Sequence, residues 1–217
     1  MSATKQPILV QSDFDGTLTI GDVSFLILDE FVGPAWREYL ADYESGKISV
    51  NRFNRMIMAM VKADKVTLDQ FVRDKVVIRP GFAELVNTCR ELEFRFVIVS
   101  NGMEFYIETV LSMLGLENIE YKAAKAIFRS DGIDAWYEGP DGSHLDAEFK
   151  EAFTKQFIQQ GYKTIYLGNG TSDFPPASMC NHIFSIDNLT ACCRRYEVPH
   201  TPFNDLNEIA HSLKQIG

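Results

Sequence analysis

The sequence predicts an α/β protein with a Rossmann-like, doubly wound parallel sheet. Short apolar runs rich in β-branched residues alternate with longer stretches of helical periodicity, which is the pattern of parallel strands joined by helical crossovers. The predicted strands are residues 8–12, 94–100, 164–168 and 182–186. With 217 residues, of which 46% are hydrophobic, the chain is long enough for one full domain and a small second one.

The second domain is predicted between the first two strands. Residues 19–79 contain several helix signals and no comparable strand. These signals are the start residues Asp22, Pro34 and Ser49, an apolar face of Phe53, Met56, Ile57 and Met60, and a capping box of Thr67 with Gln70. We therefore expect a helical cap domain at 19–79, inserted into a core of residues 1–18 and 80–217.

A smaller insertion is predicted after a helix at 103–114. Two β-prone stretches, 120–128 and 133–138, flank the sequence Ser130-Asp131-Gly132. Because Asp-Gly favours a tight turn between antiparallel strands, we expect a β-hairpin insertion over about residues 119–139.

Composition and charge exclude several function classes. The chain has 21 Lys and Arg against 30 Asp and Glu, and its net charge of −9 disfavours nucleic acid as a partner. Four cysteines without C-x-x-C spacing are typical of a reduced compartment. Since there is no apolar run of about 18 residues and no apolar leader, we expect a cytoplasmic protein without a membrane partner.

Two carboxylates stand at the end of the first predicted strand. Strand alternation places Asp13 and Asp15 on the same side, at the carboxyl end of a parallel strand, where α/β proteins place their ligands. Carboxylates this close repel each other unless a cation lies between them, which favours a divalent metal with one carboxylate as nucleophile and the other as acid or base. The alternative is an Asp-Gly turn in which Asp15 and Thr17 only cap the backbone.

The second predicted strand ends in Ser100-Asn101-Gly102. A hydroxyl followed by a glycine-containing turn and a helix start offers an O–H and free N–H groups to an anionic oxygen. An ordinary helix N-cap has the same local pattern, so the motif alone leaves both interpretations open.

Further candidate residues lie in two places, after the third predicted strand and on the helix that precedes this strand. Asn169 and Asp173 are four residues apart, a spacing that suits either a metal site or a plain turn. The helix at 147–160 carries Lys150 and Lys155, and either could neutralise a phosphate or lie on a solvated face.

The order of these motifs resembles the haloacid dehalogenase superfamily of phosphohydrolases. The chain has Asp-x-Asp-Gly-Thr first, then a strand ending in Ser, then a helical Lys and finally Gly-x-x-x-x-Asp. The resemblance covers nearly the whole chain. It implies a Mg²⁺-dependent phosphomonoesterase that acts on a small phosphorylated metabolite.

The resemblance also implies roles for individual residues. Asp13 would be the nucleophile and a metal ligand, and Asp15 the acid and base whose main-chain carbonyl reaches the metal. The implied phosphate-binding residues are Ser100, Asn101, Gly102 and Lys150, with Lys155 as the alternative lysine. Asn169 and Asp173 would complete the Mg²⁺ site.

One position departs from the pattern of the superfamily. Asn169 stands where an aspartate normally coordinates Mg²⁺, so the site loses a negative charge and is expected to bind the ion more weakly. A non-catalytic module that binds a phosphorylated ligand is therefore an alternative. A phosphotransferase is another, since it differs only in the acceptor that attacks the aspartyl phosphate.

Two further parts of the sequence resemble particular phosphatases within the superfamily. The helical insert after the first motif resembles the phosphoserine phosphatase branch, and residues 100–105 and 192–209 resemble the methionine-salvage phosphatases more closely. A phosphoserine-like and a methionine-salvage substrate both stay open. Arg52 and Arg55, at i and i+3 of a predicted cap helix, either contact a substrate carboxylate or hydroxyl, or lie on a solvated face.

Overall fold

The computed structural model describes residues 6–216. The strands are β1 Ile8–Ser12, β2 Thr19–Ile20, β3 Val77–Ile78, β4 Arg95–Met103, β5 Glu120–Arg129, β6 Gly132–Trp136, β7 Lys163–Gly168, β8 His182–Ser185 and β9 Thr201–Pro202. The α-helices are α1 Val23–Phe31, α2 Leu40–Glu44, α3 Val50–Met58, α4 Lys65–Lys75, α5 Phe82–Glu91, α6 Glu104–Met113, α7 Phe149–Gln159, α8 Phe174–Ala177, α9 Asp187–Arg195 and α10 Leu206–Ile216. Two 3-10 segments, Gly33–Tyr39 and Thr171–Asp173, precede α2 and α8.

Seven strands form one sheet in the order β6-β5-β4-β1-β7-β8-β9. Strand β1 lies in its middle, pairs in parallel with β4 and β7, and is buried over its whole length. Among the described pairings of this sheet, only that of β5 with β6 is antiparallel. The predicted α/β fold is therefore confirmed, and the carboxyl ends of β1, β4 and β7 meet at one edge.

The predicted hairpin forms between β5 and β6, with Arg129 paired to Gly132. Strand β5 also pairs in parallel with β4, so the hairpin extends the main sheet. The bounds of an insertion at about residues 119–139 stay a prediction. Strand β5 is half-exposed over most of its length and contains Glu120, Lys122 and Lys125. It therefore lacks the continuous apolar run by which buried parallel strands are identified in a sequence.

The segment between β2 and β3 is helical, as predicted. These two strands pair in antiparallel fashion and bring the ends of the segment together, with α1 to α4 between them. Buried residues of the segment such as Phe53 and Leu68 belong to the same apolar cluster as Val97 and Ile98 of β4. The helices thus pack on the sheet through a continuous core. The bounds of a separate cap domain at 19–79 stay a prediction.

Helix α3 buries only part of the predicted face, namely Phe53 and Ile57. It ends at Met58, so Met60 lies outside it, and Met56 is only half-buried. Its buried side chains include the amides of Asn51 and Asn54. An apolar pattern cannot identify a face on which two members are polar, because it assigns such residues to solvent.

Helix α4 begins earlier than predicted. Asp64 caps it, since the Asp64 carboxylate accepts a hydrogen bond of 2.8 Å from the N–H of Thr67. Thr67 is therefore inside the helix, and the predicted capping box with Gln70 is wrong. The Gln70 side chain donates to Asp74 instead. An ionised oxygen is a stronger acceptor than a hydroxyl, which favours the upstream aspartate as the cap.

No helix in the described part of the chain is long and apolar enough to cross a bilayer. Each of the four cysteines is a free thiol. Burial raises the pKa of the Cys89 thiol to about 12, so this group stays protonated.

Arg79 fixes the turn that follows β1. Its guanidinium group donates hydrogen bonds to the main-chain carbonyls of Gly16 and Thr17, both at 2.7 Å, and of Asn204 at 3.1 Å. Gly16 has a φ of +73°, in the left-handed region where a side chain is strained. Arg79 therefore ties the turn next to Asp15 to the loop before α10.

We expect Arg79→Ala to lower the free energy of unfolding by about 2 kcal/mol, because three carbonyls lose a charged donor. Arg79→Lys should recover little of this loss, since an ammonium group does not reproduce the planar fork of the guanidinium. Urea denaturation followed by circular dichroism measures both effects. Arg90→Ala, which alters an exposed arginine of α5, is the matched control. Equal effects of the two alanine substitutions would contradict this assignment.

Candidate active site

The predicted catalytic, phosphate-binding and metal-binding residues come together at the carboxyl edge of the sheet. Asp13 follows β1, Ser100 lies near the end of β4, and Asn169 follows β7. Because these strands are parallel and adjacent, their ends line one cavity of about 520 Å³. Lys150 reaches the cavity from α7, and helices α1 to α3 contribute its opposite wall.

Lys150 is the positive centre of this cavity. Its ammonium nitrogen lies 2.7 Å from a carboxylate oxygen of Asp13 and 2.7 Å from one of Asp173. Burial alone would lower the pKa of Lys150, but the charges of the two aspartates raise it above its usual value, so the group stays protonated. Lys155, the alternative lysine, lies at the surface, where it pairs with Glu148 at 3.5 Å.

Asp173 uses both carboxylate oxygens inside the protein. One accepts hydrogen bonds from Lys150 and from the Tyr166 hydroxyl, each at 2.7 Å. The other accepts from the main-chain N–H groups of Asn169, at 3.0 Å, and Gly170, at 2.8 Å. This carboxylate therefore orients the lysine and the loop after β7, and its oxygens have little capacity left for a direct metal bond.

Gly168 makes room for this arrangement. A Cβ atom at position 168 would lie only 2.7 Å from the Cγ atom of Asp173. Any side chain there would push the carboxylate away from its donors, so the last residue of β7 has to be glycine.

Asp15 lines the cavity beside Asp13, and both of its oxygens are hydrogen-bonded. One accepts from the N–H of Val23 at 2.9 Å, and the other from the hydroxyl of Tyr106 at 2.6 Å. Burial, and next the charge of Asp22, raise the pKa of Asp15 to about 7, while the two hydrogen bonds oppose the increase. Near neutral pH this carboxyl can therefore hold a proton or release one, which a general acid and base must do.

The residues Ser100-Asn101-Gly102 near the end of β4 make different contacts. The Ser100 hydroxyl lies at the cavity and accepts a hydrogen bond of 3.0 Å from the N–H of Gly102. The Asn101 side chain, by contrast, donates to the Asn51 side chain of α3 at 2.7 Å, and the main-chain carbonyl of Asn101 accepts from the Asn54 side chain at 2.7 Å. The Asn101 side chain is thus engaged with the cap helix, and its contact with a phosphate stays a prediction.

The side-chain oxygen atoms at and around Asp13 are chemically suited to bind a hard divalent cation. Asp13 and Asp173 together carry two negative charges against the one positive charge of Lys150, and an added cation would compensate the excess. Burial and the charge of Asp173 raise the pKa of Asp13, which leaves its carboxylate in need of positive charge. Asn169 adds an amide oxygen, which accepts from the Thr17 hydroxyl at 3.1 Å. Carboxylate and amide oxygens are ligands that Mg²⁺ accepts.

The site is nevertheless poor in acidic ligands. Among residues 6–216 there is no group of three or more His, Cys, Asp or Glu side chains arranged to hold a metal ion. With Asn169 in place of an aspartate and Asp173 hydrogen-bonded on both oxygens, Asp13 is the one carboxylate among these three positions that is left to bind a cation directly.

Arg52 and Arg55 do not line this cavity. They border a separate groove on the outer side of α3, where Arg55 pairs with Asp146 at 3.2 Å. The residues that α3 directs into the cavity are Val50, Phe53 and Asn54. Sequence spacing correctly put the two arginines on one helix surface, but it could not tell which surface faces the site.

The cap wall of the cavity was not identified from the sequence. It is apolar and aromatic, and Tyr43 stacks on Phe53 with ring centroids 4.8 Å apart. Its apolar and aromatic members are Phe25, Leu40, Tyr43, Val50 and Phe53. Asp22 and Glu44 also line the cavity, and burial raises the pKa of Asp22 to about 6. Of the lining residues that the structure describes, only Lys150 is cationic.

Comparison with known proteins identifies the family. Residues 10–178 match the family model of haloacid dehalogenase-like hydrolases. The chain is 28% identical over 218 residues to a 2-hydroxy-3-keto-5-methylthiopentenyl-1-phosphate phosphatase of Bacillus velezensis, covering 99% of this chain and 92% of that one. A phosphatase of the same name from Brevibacillus brevis is 24% identical, with 94% of each chain covered.

A solved structure of similar fold is a substrate-bound phosphoserine phosphatase complex. It superposes with a TM-score of 0.75 and covers 96% of this chain and 99% of that one, at 17% identity. At this level of identity the likeness concerns the fold alone.

We expect Lys150→Met to lower kcat/KM for 4-nitrophenyl phosphate by about 100-fold or more, because the site loses its preorganised positive charge. Lys155→Met, on the exposed side of the same helix, should retain the activity. Steady-state kinetics with excess Mg²⁺ measures both variants, and circular dichroism checks their folding. A similar loss in the two variants would contradict the assignment of Lys150.

Proposed function

Because this chain belongs to the haloacid dehalogenase-like hydrolases, we propose that it hydrolyses a small phosphomonoester through an aspartyl phosphate formed on Asp13. It is a phosphatase of that family. The observation that carries the proposal is the contact of the buried Asp13 carboxylate with the Lys150 ammonium group at 2.7 Å. A nucleophile of this kind needs nearby positive charge, since negative phosphate oxygens approach it during the reaction.

The chemistry follows from the two aspartates. An oxygen of Asp13 attacks phosphorus, and the bond from phosphorus to the ester oxygen breaks. Asp15 gives its proton to the departing oxygen and then accepts one from the water that hydrolyses the acyl phosphate. Inorganic phosphate and the alcohol are released, and Asp13 is restored. Mg²⁺ held by Asp13 and Asn169 would neutralise charge on the transferring phosphoryl group.

Lys150 and the end of β4 hold the phosphate. Lys150 offers its ammonium group beside Asp13, and Ser100 supplies a hydroxyl at the cavity wall. Asp173 positions Lys150 through their contact at 2.7 Å. We assign the phosphate oxygens to these groups and give Asn101 a structural role in holding α3.

The cavity favours a leaving group without a carboxylate. Its one cationic lining residue within the described chain, Lys150, is already shared by two aspartates, while Asp22 and Glu44 would repel a second anion. The aromatic wall around Tyr43 and Phe53 suits an apolar group. These charges disfavour phosphoserine, whose leaving group carries a carboxylate, and the apolar wall favours an uncharged group such as the methylthio-bearing portion of 2-hydroxy-3-keto-5-methylthiopentenyl-1-phosphate. We therefore propose a substrate of the second kind.

A panel of phosphate esters assayed with Mg²⁺ tests this function. We expect kcat/KM for 2-hydroxy-3-keto-5-methylthiopentenyl-1-phosphate to exceed that for phosphoserine by about 100-fold, because an unpartnered carboxylate costs several kcal/mol. Asp13→Asn should release no phosphate from either ester, since an amide does not accept a phosphoryl group. Asp29→Asn, at an exposed position of α1, is the matched control.

Three results would contradict the proposal. Undiminished phosphate release by folded Asp13→Asn would remove Asp13 as the acceptor. No turnover of any ester by the unaltered protein would favour the binding-module alternative, and transfer of phosphate to an added alcohol in place of water would favour a phosphotransferase.

Asn169→Asp tests the metal site. The added carboxylate should lower the Mg²⁺ concentration needed for half-maximal activity by about tenfold, because ligand charge tunes affinity for hard cations. The Thr17 hydroxyl can donate to aspartate as it does to Asn169, so the loop should be kept. The mass of the unaltered protein must be checked first, since Asn169-Gly170 is prone to deamidation. An unchanged Mg²⁺ dependence would show that position 169 is not a ligand.

A further inference from the structure

A buried tyrosine hydroxyl contacts Asp15 and is not used by the chemistry described above. Tyr106, on α6, is fully buried. Its hydroxyl donates to an oxygen of Asp15 at 2.6 Å and lies 3.0 Å from the hydroxyl of Ser24 on α1. Because the tyrosine proton points to Asp15, the Ser24 hydroxyl is the donor in the second bond.

The packing around Tyr106 leaves this hydroxyl little freedom. Its ring lies against Phe14, with centroids 6.0 Å apart, and edge-on to Phe105 at 5.3 Å. A Cβ atom at Gly102 would lie 1.7 Å from the tyrosine oxygen and 2.4 Å from the Asp15 oxygen. The contact between Tyr106 and Asp15 therefore requires glycine at position 102. It depends both on this glycine of β4 and on the tyrosine of α6.

The same carboxyl is held from a second direction. The N–H of Val23, in the first turn of α1, donates to the other oxygen of Asp15 at 2.9 Å. One donor comes from the cap segment and the other from the core, and together they fix the plane of the carboxyl group. With only one donor, the group would rotate about its bond to Cβ.

On the basis of the proposed function, we propose that Tyr106 is a positioning residue for proton transfer by Asp15. The proton moves from the Asp15 carboxyl to the ester oxygen as the bond from that oxygen to phosphorus breaks and Asp13 takes the phosphoryl group. Tyr106 keeps its own proton throughout and acts only by holding the carboxyl plane. Such alignment matters because a small misplacement of a catalytic group lowers the rate strongly.

Leaving groups of different basicity separate this role from a structural one. An alkyl phosphate needs a proton on its leaving oxygen, whereas 2,4-dinitrophenolate leaves without one. We expect Tyr106→Phe to lower kcat/KM for propyl phosphate by about 30-fold, and that for 2,4-dinitrophenyl phosphate by less than about twofold. Tyr137→Phe is the matched control, since it removes another buried hydroxyl, one bonded to the Asn101 carbonyl and not to Asp15. It should leave the ratio of the two kcat/KM values unchanged.

The outcomes distinguish this inference from the proposed function. If the unaltered protein hydrolyses both esters and Tyr106→Phe loses the same factor on each, Tyr106 has no role in proton transfer. If the unaltered protein hydrolyses neither, the proposed function fails and this inference with it. Should Tyr106→Phe not fold, Ser24→Ala is measured instead. It should lower kcat/KM for propyl phosphate selectively, by about threefold, and equal losses on both esters would overturn the inference.

Discussion

The rest of the site depends on the two contacts that the Lys150 ammonium group makes with aspartate side chains. The ammonium group joins Asp13, at the end of β1, to Asp173, in the loop after β7, and both contacts are 2.7 Å long. Two buried carboxylates without this cation would repel each other and take up protons, and Asp13 would be a poor nucleophile. If one of these three side chains were removed, the others would keep a buried charge without a partner. The positions of Lys150, of the two aspartates and of the loop after β7 therefore depend on one another.

The positions of the catalytic candidates follow from local sequence. Asp13 and Asp15 are separated by one residue after a buried strand, and parallel strands carry such residues to one edge of the sheet. The identity of the lysine was open between Lys150 and Lys155, because spacing along a helix does not show which side is buried. Helix α7 turns Lys150 inward and leaves Lys155 exposed.

Other features depend on contacts between distant segments and have no local signal. Arg79 binds carbonyls of a turn that lies more than 60 residues away. Asn51 and Asn54 are buried because they meet Asn101 at the end of β4, and Tyr106 is buried beside Asp15. A buried polar residue is stable only with its partner, and the partner is known only once the fold is known. Sequence patterns therefore found the sheet and the aspartates, but not the polar contacts that join the cap helices to them.

The central claim is that Asp13 accepts the phosphoryl group, and trapping the intermediate tests it most directly. The protein is mixed with substrate and Mg²⁺, quenched in acid within the first turnover, reduced with borohydride and digested for peptide mass spectrometry. Reduction of an aspartyl phosphate converts the residue to homoserine, and the account predicts this conversion at Asp13 alone. Turnover with Asp13 unmodified, or homoserine at another aspartate, would contradict it.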